Sequence, residues 1–103
     1  MKLIITTLGS YLTGDSIADA LLDYSRALAR AQTTDLVDIP VIADRTTSQL
    51  RLTVGWLMQL HALDAVSDQP ELLAPATTTA LRTQTAQCLD PWLEDGDIFE
   101  YGL

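Results

Sequence analysis

From Leu50 to Ala62 the chain changes character at almost every step. Leu50, Leu52, Val54, Trp56, Met58, Leu60 and Ala62 alternate with Gln49, Arg51, Thr53, Gly55, Leu57, Gln59 and His61. An extended chain points successive side chains to opposite faces, so this period of two predicts a strand whose first set lines a core. So long a strand is unusual, and Gly55 invites a bulge or bend halfway along it. A helix starting near Trp56, with Leu57, Leu60 and His61 on one side, is the competing reading of the second half.

The flanking sequence supplies partners for that strand. Leu3 to Leu8 is β-branched and apolar, Gly9-Ser10 suits a two-residue hairpin turn, and Tyr11 to Thr13 reads as a short return arm. Asp15 or Ser16 can then cap a helix in which Ile17, Leu21, Tyr24, Leu28 and Ala31 recur at helical spacing. Ala20 and Ala27 widen that stripe. Asp19, Asp23, Arg26 and Arg30 fall on the opposite, solvated face, acids first and arginines last as the helix dipole favours. Leu36 to Ala43 reads as a further strand with Val37, Ile39, Val41 and Ala43 on one side. Pro40 cannot donate to a ladder, which predicts an edge position or a bulge there. Asp44 to Ser48 is polar and turn-like.

The second half carries a helix-start signature, Ser67-Asp68-Gln69-Pro70-Glu71, but Pro75 follows too soon for one undisturbed helix. A short turn over 71–74 and a main helix from about Ala76 to Leu89 are expected. Ala80, Leu81, Cys88 and Leu89 form its apolar side. Five threonines, Thr77, Thr78, Thr79, Thr83 and Thr85, lower its intrinsic propensity, so it depends on tertiary packing. Pro91 ends it. Asp95-Gly96 is a hairpin signal that returns Ile98 to Leu103 as a final strand. Strands joined by tight turns imply antiparallel pairing. The expected class is α+β, a small antiparallel sheet of four or five strands with two helices packed on one face.

With 103 residues, 48% of them hydrophobic and 19% charged, the chain fits a single compact domain and not a disordered one. Residues 90–103 form an acidic, aromatic segment expected to fold back. Leu3 to Leu8 is too short an apolar run for a membrane span or a signal-peptide core, so the cytoplasm is the expected compartment. The net charge of −8 is concentrated in residues 52–103, where Arg82 stands alone against eight acids. That excess repels phosphates, and direct nucleic-acid binding is not expected. The absence of asparagine and the single lysine read as the coding bias of a GC-rich, bacterial genome.

Chemical motifs are sparse. One cysteine, Cys88, gives no disulfide framework and reads as a small buried hydrophobe. His61 is the one candidate general base, and a base needs a partner and a nucleophile within reach. Glu94, Asp95 and Asp97 lack the spacing of a calcium loop, and no glycine-rich phosphate loop is present. Neither a metal nor a cofactor is expected. The expected role is therefore a small non-enzymatic protein-interaction module, homodimeric, with a protein or its own copy as partner. Its candidate interface comprises Leu57, Leu63, Trp92, Glu94, Asp95, Asp97, Phe99, Glu100 and Tyr101. Two other readings stand beside it. One is an acidic nucleic-acid mimic or inhibitor seated in a partner's basic groove; the other is a small enzyme using His61 with a carboxylate.

Overall fold

The structure, a computed structural model, describes the backbone of residues 1–102 and the side chains of residues 1–88. Its elements run β1 (Lys2–Thr6), β2 (Gly9–Thr13), α1 (Asp15–Arg30), β3 (Thr34–Ala43), β4 (Thr46–Gly55), β5 (His61–Asp64) and α2 (Pro75–Gly102). The five strands form one sheet in the order β4-β3-β2-β1-β5, antiparallel throughout. α1 packs on β4, β3 and β1, and α2 packs alongside α1. The chain is thus α+β, with its helices against the sheet.

The core follows the two periodicities. Ile17, Ala18, Ala20, Leu21, Tyr24, Ala27 and Leu28 are the buried stripe of α1, and they meet Ile4, Val37, Ile39, Val41 and Val54 of the sheet. From α2, Leu81 reaches the same core and Cys88 packs half-buried at its margin, whereas Ala80 is exposed. Asp19 and Asp23 face outward as expected. Each also ties α1 to another element: Lys2 Nζ donates to Asp19 at 2.9 Å and Arg82 to Asp23 at 2.6 Å.

Several elements differ from expectation for identifiable reasons. The first hairpin turns at Thr7-Leu8, two residues before Gly9-Ser10. The Thr6 hydroxyl organises that turn by accepting the Leu8 and Gly9 amides, each at 3.1 Å. Asp44 and Arg45 adopt φ of 50° and 66°, the mirror-image turn that matches strand twist, so β4 begins at Thr46 and not after Ser48. The long alternating run is neither one strand nor strand then helix. It stops at Gly55, where φ reaches 114°, turns through Leu57 at φ 66°, and resumes as the separate strand β5. No helical turn forms over 71–74, and Pro75 takes the first position of α2, where its missing amide hydrogen is harmless.

β3 is not an edge strand. It lies between β4 and β2, and its register with β4 runs unbroken through the pair Pro40↔Gln49. In an antiparallel strand the N–H and C=O of one residue point to the same side. The Pro40 carbonyl accepts the Thr13 hydroxyl at 2.8 Å, so the proline's hydrogen-free nitrogen also faces β2. There the ladder is reduced to one pair, Leu12↔Ile42. Proline is tolerated because this junction has little hydrogen bonding to lose.

α2 continues past Pro91 to Gly102, replacing the expected Asp95-Gly96 hairpin and final strand. A hairpin signal needs alternating arms on either side. Trp92-Leu93 and Ile98-Phe99 are instead adjacent apolar pairs, which a strand would split between its two faces. Whether the segment's side chains fold back onto the body lies outside the described residues.

Tyr24 links core and sheet. Its hydroxyl donates to Asp35 Oδ2 at 2.5 Å, and burial, followed by the bond to the carboxylate, pushes its pKa above the ordinary tyrosine value. A raised pKa means the folded state prefers the neutral phenol. That preference is fully expressed below about pH 10 and is lost as pH rises beyond it. Thermal melts should therefore show stability falling above about pH 10, and Tyr24→Phe should flatten this fall. At pH 7 the same variant should lose about 1–2 kcal/mol with its hydrogen bond. An unchanged alkaline slope in Tyr24→Phe would assign the effect to another group.

Candidate interaction surface

The face of the sheet that α1 covers contains Ile4, Ile39 and Val54; the strand alternation sends their neighbours to the other side. Register then defines a row across that outer face. Leu63 pairs with Leu3, Leu3 with Leu12, and Leu12 with Ile42, so four aliphatic side chains lie side by side on β5, β1, β2 and β3. Leu3, Leu12 and Ile42 are half-buried, and Leu63 is 57% exposed. Ile5 continues the apolar area beside the row, paired with His61 and Ser10. The β-branched and leucine-rich sequence of β1 explains it: a strand apolar on both sides must offer one set of side chains to each face.

Of the residues expected at an interface, Leu63 joins this row and Leu57 does not. Leu57 is 81% exposed in the turn after β4, beside Trp56 and Met58, because the chain leaves the sheet at Gly55. Nothing in the sequence marks Leu3, Leu12 and Ile42 for an interface. Each reads from sequence as an ordinary strand residue, and only the strand order aligns them. The side chains of Trp92, Glu94, Asp95, Asp97, Phe99, Glu100 and Tyr101 lie outside the described residues.

The acids that are described mostly serve the fold. Asp15 and Glu71 meet the N-terminal ammonium at 3.0 and 2.8 Å, and Asp68 pairs with Arg45 at 3.3 Å. Asp38 is bound by the Arg51 guanidinium through Nε at 2.8 Å and Nη2 at 3.3 Å. That bond holds the Asp38 carboxyl below its usual range. Charges already met within the chain are less able to mimic a free phosphate backbone.

His61 begins β5, exposed, on a shallow cavity shared with Ser25, Arg26, Met58, Leu60 and Ala62. Among the described residues no carboxylate lines that cavity, and the Ser25 hydroxyl already accepts the Gly55 amide at 3.2 Å. Cys88, on α2, is not hydrogen-bonded to His61. Among the described residues no group of three or more His, Cys, Asp or Glu side chains gathers as metal ligands. Among them, too, no helix is long and apolar enough to cross a membrane. Comparison with protein-family models, with curated proteins and with solved structures finds no match to this chain.

Proposed function

We propose that this chain is a non-enzymatic protein-interaction module that forms a homodimer through the outer face of its sheet. The observation that carries this reading is the row Leu63–Leu3–Leu12–Ile42, which crosses four strands on the face opposite α1. Contiguous apolar surface of this kind, rimmed by polar groups such as Ser10 and His61, is characteristic of association sites. A twofold axis through the face sets the same row against itself, the self-complementary arrangement that closed dimers require. Sheets pack well in this way, with side chains of the two facing surfaces interdigitating.

Sedimentation equilibrium at micromolar concentrations should give a dimer. Leu63→Asp places a charge in the row at a position exposed in the monomer. It should yield a monomer with nearly unchanged circular dichroism, the stability of the single chain moving by no more than about 0.5 kcal/mol. A wild-type protein that stays strictly monomeric throughout that range would overturn the dimer.

A further inference from the structure

The outer edge of β4 is open, and it borders an apolar cavity. β4 pairs with β3 from Thr46 to Gly55 and, among the described residues, has no strand on its other side. The Trp56 amide donates to the Thr33 carbonyl, so even-numbered residues of this strand turn their backbone groups toward β3. Odd-numbered residues turn theirs outward. Gly55 fits this alternation, its outward N–H being taken by Ser25 of α1. Behind it, the outward N–H and C=O groups of Thr47, Gln49, Arg51 and Thr53 have no protein partner among the described residues. Against this edge lies a cavity of about 260 Å³. Leu50, Leu52 and Thr53 line it from β4, Tyr11 from β2, and Met58 and Leu60 from the chain leading into β5.

We propose that this edge binds an extended peptide of a partner protein, which adds to the sheet as a sixth strand and inserts an apolar side chain between Tyr11, Leu52 and Leu60. Main-chain bonds supply affinity in such strand addition, and pockets for alternate side chains supply selectivity. The chemistry of the groove defines the occupant. Arg51 is the one basic group among the described residues that line it, and that charge is already met by Asp38 on the neighbouring strand. The other described side chains that line it are uncharged and include Leu8, Leu36, Leu50, Leu52, Met58 and Leu60, so the inserted residue is apolar. The net charge of −8 disfavours an acidic peptide and favours flanking lysine or arginine. A second copy of this chain fits less well. Self-pairing of β4 centred on Arg51 sets that residue against its own counterpart, and like charges directly opposite destabilise a pair. The tip of the first hairpin at Thr7-Leu8 and the chain at Met58 to Leu60 also stand across the cavity from β4. That leaves room for a lone strand more readily than for a second sheet. This site is separate from the outer-face row, and it stands whether or not the protein dimerises.

The probe is a fluorescent, lysine-flanked peptide of alternating valine and threonine, beside the same peptide N-methylated at alternate amides. The parent peptide should bind and slow hydrogen exchange at the Arg51 and Thr53 amides. The methylated one should bind about tenfold more weakly or not at all, as expected for lost main-chain bonds. Thr53→Pro removes one outward N–H without touching the β3–β4 bonds, and should weaken parent binding about tenfold, while Thr53→Val should stay within about twofold. If the proline variant does not fold, the methylated peptide on the wild-type protein decides the matter. Absence of slowed exchange along β4 at millimolar peptide would overturn the proposal. So would equal binding of both peptides, or concentration-dependent protection of the edge without peptide, which assigns it to a second copy.

Discussion

Gly14→Ser should destabilise the protein by about 2–4 kcal/mol, although serine is among the best residues for the position it occupies. Gly14 is the N-cap of α1, and its φ of −71° and ψ of 156° are open to any residue. It makes no side-chain cap bond, so local reasoning predicts that a hydroxyl there would help. Tertiary structure reverses the sign. A Cβ on Gly14 would stand 1.9 Å from the Leu72 carbonyl oxygen, a backbone atom that cannot swing aside. The segment carrying Leu72 crosses the start of α1 because Glu71 performs the capping. Its Oε2 accepts the Asp15 amide at 2.5 Å while Oε1 takes the N-terminal ammonium at 2.8 Å. Those bonds hold the Glu71 carboxyl below its usual range. A side chain at position 14 pushes the crossing away, and the remote cap goes with it. Thermal denaturation should show Tm lower by roughly 10–20 °C. A Gly14→Ser protein as stable as wild type would show that the crossing yields easily, and that the remote cap contributes little.

The same position marks where sequence reasoning runs out. α1 was legible because its stripe, its acids and its arginines all lie within one stretch of chain and agree with one another. The burial of Leu50, Leu52 and Val54 toward the core was legible for the same reason, their alternation being local. Glu71 as the cap of a helix beginning at Asp15 was not legible. The two are 56 residues apart, and the nearer candidates Asp15 and Ser16 satisfy the capping rule on paper. Pro40 points to an edge or a bulge by a sound rule whose premise, a fully bonded ladder on both sides, does not hold between β2 and β3. The outer-face row needed the strand order β5-β1-β2-β3, which no periodicity encodes. Leu63 could be singled out as an apolar residue needing cover; Leu3, Leu12 and Ile42 could not be assigned to its side of the sheet. The left-handed conformations at Gln32, Asp44, Arg45 and Leu57 were equally silent, since none of these residues is a glycine that would announce them.

Gly55→Ala should cost about 3–5 kcal/mol, because conformation and space both oppose a side chain there. At φ 114° the backbone occupies a region that L residues rarely adopt. An added Cβ would also meet the Thr33 carbonyl oxygen at 2.5 Å and Leu28 Cβ at 2.8 Å. Neither neighbour has freedom to move. The Thr33 carbonyl already accepts the Trp56 amide at 2.9 Å, and Leu28 is part of the buried stripe of α1. Relaxing the backbone to a negative φ would redirect the chain at the point where β4 ends. The Gly55 amide would then leave Ser25, and its carbonyl would lose the Met58 amide that closes the following turn at 3.1 Å. The connection from Trp56 to Leu60 depends on that turn to bring β5 back beside β1. The loss should therefore extend beyond the substituted residue. Chemical denaturation should give a lower midpoint, and hydrogen exchange should quicken at Ala62 and Leu63 as well as at Trp56. If exchange quickened only around Gly55 while β5 kept its protection, the strain would be local, and β5 would hold its register through its pairing with β1 alone.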